Sequence, residues 1–175
     1  MRSPQPAFTL AVAEQLGVSD QELTDLLREV YVGGGFTTAD EAQTLFAPAA
    51  VRSRGFIIAA RVGQDAILAG MAIVVPPDSP ARRLAADNEA ELQLLAVRTA
   101  YRRHGLGRML VEAAVDKAAR LGCPKIMLWT QRSMEAAQHL YAATGFHYAR
   151  DFDRGGRRFK VYERSTATKG PQESL

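Results

Sequence analysis

The sequence predicts a single α/β or α+β domain in which one mixed sheet carries helices on both faces. The chain of 175 residues is long enough to form one domain with its own hydrophobic core. Its apolar pattern changes repeatedly between the period of a strand and the period of a helix, without an internal repeat or an interior linker. We expect the domain to span residues 7–164, with flexible, proline-containing and polar termini at residues 1–6 and 165–175.

The first half of the chain predicts a strand, two helices and two further strands. The opening strand is Phe8–Ala13. Two capping boxes, each a Ser or Thr followed three residues later by Glu, predict helices that begin after Ser19 and after Thr38. The glycine run Gly33–Gly35 ends the first of them, and the second ends near Pro48. The segments that follow predict two strands and a polar loop, over residues 55–61, 66–75 and 76–88.

In the second half, strands and helices alternate. A helix is predicted over residues 105–121, because apolar residues recur along one side and Gly122 stands where helices commonly end. A second helix over residues 133–144 ends at Gly145 in the same way. Four strands complete the sheet, the last two joined by a Gly155-Gly156 hairpin turn: residues 91–97, 125–130, 146–152 and 159–163.

Composition and charge exclude several classes of protein. The net charge of +3 comes from local arginine clusters, without the broad basic stripe of a nucleic-acid-binding protein. The cluster Arg154–Lys160 predicts a solvated hairpin turn. The apolar runs are far shorter than the roughly 20 residues of a membrane-spanning helix, and no signal peptide is recognisable. We therefore expect no membrane partner. Because Cys123 is the only cysteine, we also expect a cytoplasmic protein without a disulfide, and we expect no metal site.

The segment most informative about function is residues 95–108, a strand followed by an arginine-rich turn and the start of a helix. The first amides of a helix lack hydrogen-bond partners, and the helix dipole places positive charge there. Gly105 and Gly107 leave those amides accessible to an anion. Further positive charge comes from Arg102, Arg103 and Arg108. These residues favour a phosphate or pyrophosphate site, but alone they are equally typical of a tight strand-to-helix turn.

A second motif narrows the nature of the anion. Residues 102–107 (RRHGLG) and residues 140–146 (LYAATGF) resemble the two signatures of the GCN5-related N-acetyltransferase (GNAT) superfamily. The first is Arg/Gln-x-x-Gly-x-Gly/Ala at a helix start, and the second is Leu-Tyr-x-x-x-Gly-Phe at a helix end. Residues 95–97 also look like the family's cofactor strand. The resemblance implies a GNAT-like domain whose twisted, largely antiparallel sheet splays apart at this strand.

The same resemblance implies acetyl-CoA as the acyl donor, used without a metal. Backbone groups of the strand would pair with the pantetheine arm as an added strand does, and these come from Leu95, Ala96 and Val97. The remaining cofactor-binding residues are those of the loop and helix start, Arg102, Arg103, His104, Gly105, Leu106, Gly107 and Arg108. Met134 departs from the family pattern, because relatives often place an asparagine there to contact the cofactor arm.

Direct acetyl transfer requires a neutral amine and a proton donor for the leaving thiolate. Tyr141 resembles the family's general acid, and the alternative is that its ring only packs against the sheet. Glu91 is the candidate base, because many relatives place at this position an acid that acts through water. Its side chain shares strand parity with Leu95 unless a bulge intervenes. An ordinary charge at the start of a strand is the alternative for Glu91, and Glu89 is a competing base.

We therefore expect an acyltransferase that moves an acetyl group to a primary amine of a small molecule or a protein N-terminus. A non-catalytic regulatory module that binds CoA with the same fold is the alternative, and an unrelated anion-binding domain is a third hypothesis. No motif identifies the acceptor, and the sequence leaves open whether the chain forms a homodimer. In similar proteins the loop after the first helix borders the acceptor site, so Gly33–Gly35 is either a mobile gate or a plain helix break.

Overall fold

A computed structural model describes residues 5–167 of the chain. This part contains seven strands: β1 Phe8–Val12, β2 Phe56–Val62, β3 Ile67–Val75, β4 Ala90–Val97, β5 Lys125–Gln131, β6 His147–Arg154 and β7 Arg157–Ser165. It also contains five α-helices: α1 Asp20–Leu27, α2 Ala39–Leu45, α3 Pro48–Arg52, α4 Leu106–Arg120 and α5 Glu135–Ala143. None of the helices in residues 5–167 combines the length and the apolar composition that a membrane crossing requires.

The strands form one sheet in the order β1-β2-β3-β4-β5-β7-β6. Neighbouring strands are antiparallel except β4 and β5, which are parallel and pair only at Ala90 with Ile126 and at Glu91 with Met127. Beyond these two pairs the strands separate, and the rest of β4 is open on its β5 side. The mixed, largely antiparallel and splayed sheet predicted from the sequence is confirmed.

Each face of the sheet is covered by its own hydrophobic core. On one face, α4 packs Leu110 and Ala114 against β2, β3 and β4, and α5 adds Tyr141 and Leu140 to the same core. On the other face, the buried side chains come from α1, α2 and α3 and from the alternate positions of β2 and β3. The sheet is therefore the middle layer of three, as the predicted fold class requires.

Three local features differ from the sequence-based expectation. The first helix ends at Leu27 and continues as a π-helical turn over Arg28–Val32 before the glycines. A separate short helix, α3, begins at Pro48, where proline is favoured because its missing N–H is not needed in a first turn. Strand β7 reaches Ser165, one residue into the predicted flexible tail. Residues 1–4 and 168–175, which make up most of the predicted flexible termini, lie outside the described residues.

A partly buried ion pair joins α1 to the sheet. Arg61 Nη1 lies 2.6 Å from Glu22 Oε1, and Glu22 also completes the capping box with Ser19. The hydrogen bond from Arg61 lowers the pKa of the Glu22 carboxyl from 4.5 to about 2, with a further contribution from Ser19. Since the folded protein binds this proton more weakly than the unfolded chain, the charged carboxylate favours the folded state.

We predict that Glu22→Gln lowers the free energy of unfolding by about 1 kcal/mol at pH 7. Glutamine keeps the capping box but loses the charge. The difference from the unmodified protein should shrink as the pH falls from 4.5 towards 2, where Glu22 becomes protonated. Urea unfolding across this pH range measures the difference in unfolding free energy.

Glu41→Gln is the matched control, because Glu41 also completes a capping box but pairs with an exposed arginine. Equal pH profiles for the two variants would contradict the assignment.

Candidate functional site

A β-bulge interrupts β4 at the point where it leaves β5. Two residues of β4, Leu94 and Leu95, lie opposite the single residue Ala72 of β3, and the ladder register shifts there. Leu94 has φ +51°, a left-handed conformation that a leucine rarely adopts. An extra residue in one strand reverses which side chains face which side of the sheet beyond it.

The bulge places the Glu91 and Leu95 side chains on opposite faces, so they do not share the strand parity that an uninterrupted strand would give them. Leu95 and Val97 pack in the core beside α4. Glu91 and Gln93 instead lie across from strand β3 residues of the other core, the one formed with α1. The side chain of the candidate base therefore lies on the opposite face of β4 from the side chains of Leu95 and Val97.

The turn before α4 has an open helix start. Gly105 precedes the helix with φ +79°, and no side chain caps the first turn. A Cβ at this position would contact nothing, so glycine is needed for its backbone conformation. Gly107 is different, since a Cβ there would lie 2.9 Å from Leu140 Cδ2 on α5. Its missing side chain lets the two helices approach each other, in addition to leaving the amides accessible.

A cavity of about 630 Å³ lies between the open part of β4, the start of α4 and α5, and we call it the α4–α5 groove. Its lining includes eight of the ten predicted cofactor-binding residues: Leu95, Val97, Arg102, Arg103, Gly105, Leu106, Gly107 and Arg108. The Ala96 side chain is buried in the opposite core, and His104 is exposed on the turn. Neither of these two residues lines the groove.

A second cavity of about 400 Å³ occupies the gap where β4 and β5 separate, and we call it the β4–β5 cleft. It is lined by residues of β4, β5, the β6–β7 hairpin and the helices before β2. Leu95, Met134 and Tyr141 line both cavities, so the groove and the cleft meet at these three side chains.

Tyr141 stands at this junction with 7% of its surface exposed. Its ring packs against Phe146 and Tyr162, with centroids 5.9 and 6.2 Å away. Burial raises the pKa of the Tyr141 phenol far above its usual value, and the nearby Tyr31 acts in the same direction. This position is compatible with both hypotheses for Tyr141, that it is the general acid and that its ring only packs against the sheet.

Glu91 is fully buried and lines neither cavity. Its Oε1 accepts hydrogen bonds from the backbone amides of Arg83, Leu84 and Ala85, and its Oε2 accepts one from Gln93 Nε2 at 2.8 Å. Three of these donors belong to the loop between β3 and β4, so Glu91 fixes that loop onto the sheet, and the fourth donor, Gln93, lies on β4 itself. The competing residue Glu89 forms an ion pair with Lys125 at 3.3 Å. A base role for either carboxylate stays a prediction.

The glycine loop after α1 is attached on both sides of the junction. Tyr31, before the glycines, donates a hydrogen bond to the Leu95 carbonyl at 2.9 Å. Phe36, after them, accepts one from Gln131 Nε2 at 2.8 Å. Tyr31 lines the cleft and Phe36 lines the groove. The loop therefore borders both cavities, and its predicted mobility stays a prediction.

Several residues of the cleft were not recognised in the sequence. Arg54, between α3 and β2, and Thr130, near the end of β5, both line it. Arg154 and Arg157 belong to the hairpin predicted to be a solvated turn, but they also line the cleft. No local motif marks these positions, because they come together only through the pairing of β7 with β5. Within residues 5–167 no cluster of His, Cys, Asp or Glu is suited to holding a metal ion.

Comparison with known proteins identifies relatives of the whole arrangement. Residues 21–146 match the model of the acetyltransferase (GNAT) family. This range includes the open part of β4, the start of α4 and all of α5. In Saccharomyces cerevisiae, N-alpha-acetyltransferase 30 is 47% identical over 53 residues, which is 30% of this chain and 30% of the yeast protein. The similarity to that enzyme thus spans less than a third of its length.

Solved structures extend the similarity over nearly the entire chain. A GNAT-family acetyltransferase from Staphylococcus aureus superposes with a TM-score of 0.72 at 16% identity, over 92% of this chain and 100% of that one. An acetyltransferase from Bacillus subtilis in complex with CoA gives a TM-score of 0.63 at 21% identity, over 91% of this chain and 99% of that one. At these identities the superpositions show the shared fold.

Proposed function

Because this chain belongs to the GNAT acetyltransferase family, we propose that it moves an acetyl group from acetyl-CoA directly to a primary amine. The acceptor is the amine of a small molecule or of a protein N-terminus. The observation that carries this proposal is the meeting of two cavities at Tyr141. A donor in the groove and an amine in the cleft would approach each other beside one phenol.

The α4–α5 groove has the chemistry that CoA requires. Uncapped amides at the start of α4, the open position at Gly105 and three arginines suit a pyrophosphate. The unpaired β5 side of β4 offers backbone groups to the pantetheine arm. Met134 lines the groove but has no amide in its side chain, so it can contribute only apolar contact there.

Transfer breaks the bond between the acetyl carbon and sulfur and forms one between that carbon and the acceptor nitrogen. The sulfur leaves as a thiolate, which has to be stabilised or protonated. Burial raises the pKa of Tyr141, which keeps its hydroxyl protonated and able to donate a hydrogen bond to the leaving sulfur. We propose Tyr141 as this donor, so that the released CoA carries a thiol. The proton that the amine loses restores the Tyr141 hydroxyl, and the tyrosine is unchanged at the end of the transfer.

The amine has to lose a proton before it can attack. We propose that Glu91, acting through water, is the base that removes this proton. The alternative is that Glu91 only holds the β3–β4 loop in place. The arginines that line the cleft assist in either case, because nearby positive charge favours the neutral form of an amine.

A panel of amines with a free-thiol readout tests the proposed function. We expect release of CoA from acetyl-CoA with at least one amine, amino acid or peptide. Thermal stabilisation by CoA without turnover on any of them would instead identify a CoA-binding module. The absence of both stabilisation and turnover would contradict the proposed function.

For Tyr141→Phe we predict a loss of kcat of about 100- to 10,000-fold with little change in CoA affinity. The substitution removes the proton donor but keeps the packed ring. Steady-state kinetics and CoA titration measure the two effects. Tyr162→Phe is the control, because this buried tyrosine packs on Tyr141 but lines neither cavity. Unchanged kcat in Tyr141→Phe would remove the hydroxyl from the mechanism.

For Arg108→Met we predict about tenfold weaker CoA binding, as expected for the loss of one charge-assisted hydrogen bond. Arg108 lines the groove at the start of α4, whereas Arg120 is exposed at the end of the same helix. Arg120→Met is therefore the matched control, and isothermal titration with CoA is the measurement. Equal affinities in both variants would contradict the assignment of the groove to the pyrophosphate.

For Glu91→Gln we predict a loss of about 2–3 kcal/mol in unfolding free energy, because an amide group replaces a carboxylate that has four donors. Glu89→Gln is the comparison, since Glu89 forms a single ion pair with Lys125. Urea unfolding gives the stabilities. If Glu91 is the base, the variant also loses most of its kcat/KM at temperatures where it is folded. Retained turnover under those conditions would leave Glu91 with the structural role alone.

A further inference from the structure

The β4–β5 cleft has an excess of positive charge. Its charged lining residues are Arg54, Arg83, Arg154 and Arg157 with one carboxylate, Glu41. Glu41 pairs with Arg157 at 3.1 Å. Among residues 5–167, the other three arginines make no ion pair. Three positive charges of this cavity therefore lack compensation from the described part of the protein.

Arg54 is the most constrained of these arginines. Its Nη1 donates to Gln93 Oε1 at 2.8 Å and its Nη2 to the Leu45 carbonyl at 3.2 Å, both of which are neutral acceptors. Its Nε is buried and has no acceptor. Burial lowers the pKa of Arg54, and the charge of Arg83 acts in the same direction. Holding an uncompensated cation in such a place is unfavourable unless an anion joins it.

Neighbouring hydrogen bonds fix the orientation of Arg54. Gln93 Nε2 donates to Glu91 Oε2 at 2.8 Å and to the Ala81 carbonyl at 3.0 Å, which turns its oxygen towards Arg54. Glu91 is itself held by three backbone amides of the β3–β4 loop. The guanidinium is thus positioned before any ligand arrives, which lowers the entropy lost on binding.

Thr130 supplies a second group without a partner. Its hydroxyl oxygen is buried and makes no hydrogen bond, and the residue is 4% exposed. Within residues 5–167, Arg54 Nε and Thr130 Oγ1 are the two buried side-chain polar atoms in this condition, and both residues line the cleft. Native proteins leave few buried polar groups unsatisfied, so a pair in one cavity points to a missing partner. Both atoms can donate a hydrogen bond.

We propose that the acceptor amine carries a carboxylate and that Arg54 and Thr130 bind it in the β4–β5 cleft. This inference rests on the proposed function, because it assigns the cleft to the acceptor. The carboxylate belongs either to a small amino acid or to an acidic side chain next to the N-terminus of a peptide. Polycationic amines are poor acceptors for the same reason, since three uncompensated arginines repel them.

Matched acids and amides test the preference. We compare kcat/KM for glycine with glycinamide and for phenylalanine with phenylalaninamide. A peptide amide with aspartate at its second position is compared with the same peptide carrying asparagine. The acid is expected to be preferred about 10- to 100-fold in at least one pair, the range of a hydrogen-bonded charge. Preference within the amino acid pairs identifies a small acceptor, and preference within the peptide pair identifies a peptide. Equal rates in all pairs would overturn the proposal.

Variants link that preference to the two residues. Arg54→Met should abolish the discrimination between acid and amide, while Arg120→Met, outside the cleft, should leave it intact. Thr130→Val is a second test that remains available if Arg54→Met does not fold. It removes a hydroxyl that has no partner and keeps the shape of the side chain. Thr130→Val is expected to reduce the preference several-fold. Discrimination that survives in both folded variants would place the carboxylate elsewhere.

A binding measurement separates this inference from the proposed function. Two pairs are titrated calorimetrically into the protein saturated with CoA: N-acetylphenylalanine with its amide, and the N-acetylated aspartate peptide with its asparagine counterpart. If no amine is acetylated, the proposed function is wrong. Tighter binding of the acid, lost in Arg54→Met, would still support the carboxylate site. Equal binding of acid and amide, or binding of neither, would overturn it even if acetylation of other amines is observed.

Discussion

Two residue pairs hold β4 against β5, and the site follows from where that pairing stops. After Glu91 the strands separate, and the bulge at Leu94 and Leu95 turns the remaining part of β4. The separation opens the cleft, and the unpaired side of β4 becomes one wall of the groove. A longer ladder between these strands would close both cavities at once. The backbone hydrogen bonds absent from this stretch are the structural cost of having a site here.

A buried polar chain stabilises the opened region. The amides of the β3–β4 loop bind Glu91, Glu91 binds Gln93, and Gln93 binds Arg54. Each link satisfies a buried polar group, and the last also leaves a cation facing the cavity. The same loop backbone that gives Glu91 its partners therefore also determines which way the guanidinium points. Stability of the β3–β4 connection and charge in the cleft are not independent properties of this fold.

The sequence predicts the regular elements well, because their boundaries have local causes. The capping boxes at Ser19 and Thr38 and the glycine after α4 act within a few residues of themselves. The groove is predicted nearly as well, since its arginines and glycines are consecutive in the chain. The bulge at Leu94 cannot be predicted, because nothing in the local sequence indicates that this leucine adopts a positive φ.

The cleft was missed for a different reason. Arg54 follows a short helix that depends on packing, and Arg154 enters from a hairpin about 100 residues away in the chain. Only the completed sheet brings these arginines to one cavity. Likewise, three of the four donors around Glu91 come from a loop whose path is set by tertiary contacts, so the burial of Glu91 could not be inferred from its position on a strand.

The contact between Gly107 and Leu140 joins the two sequence motifs that first suggested a common function. A Cβ at position 107 would fall 2.9 Å from the Leu140 side chain, so the two positions compete for the same volume. An alanine at position 107 is accommodated if the end of the Leu140 side chain shifts, whereas a bulkier residue would push α5 away from the start of α4. Side-chain volume at this contact therefore sets how closely the two helices approach, and with it the width of the groove between them. Motifs separated by some thirty residues in the chain thus act as one spatial unit.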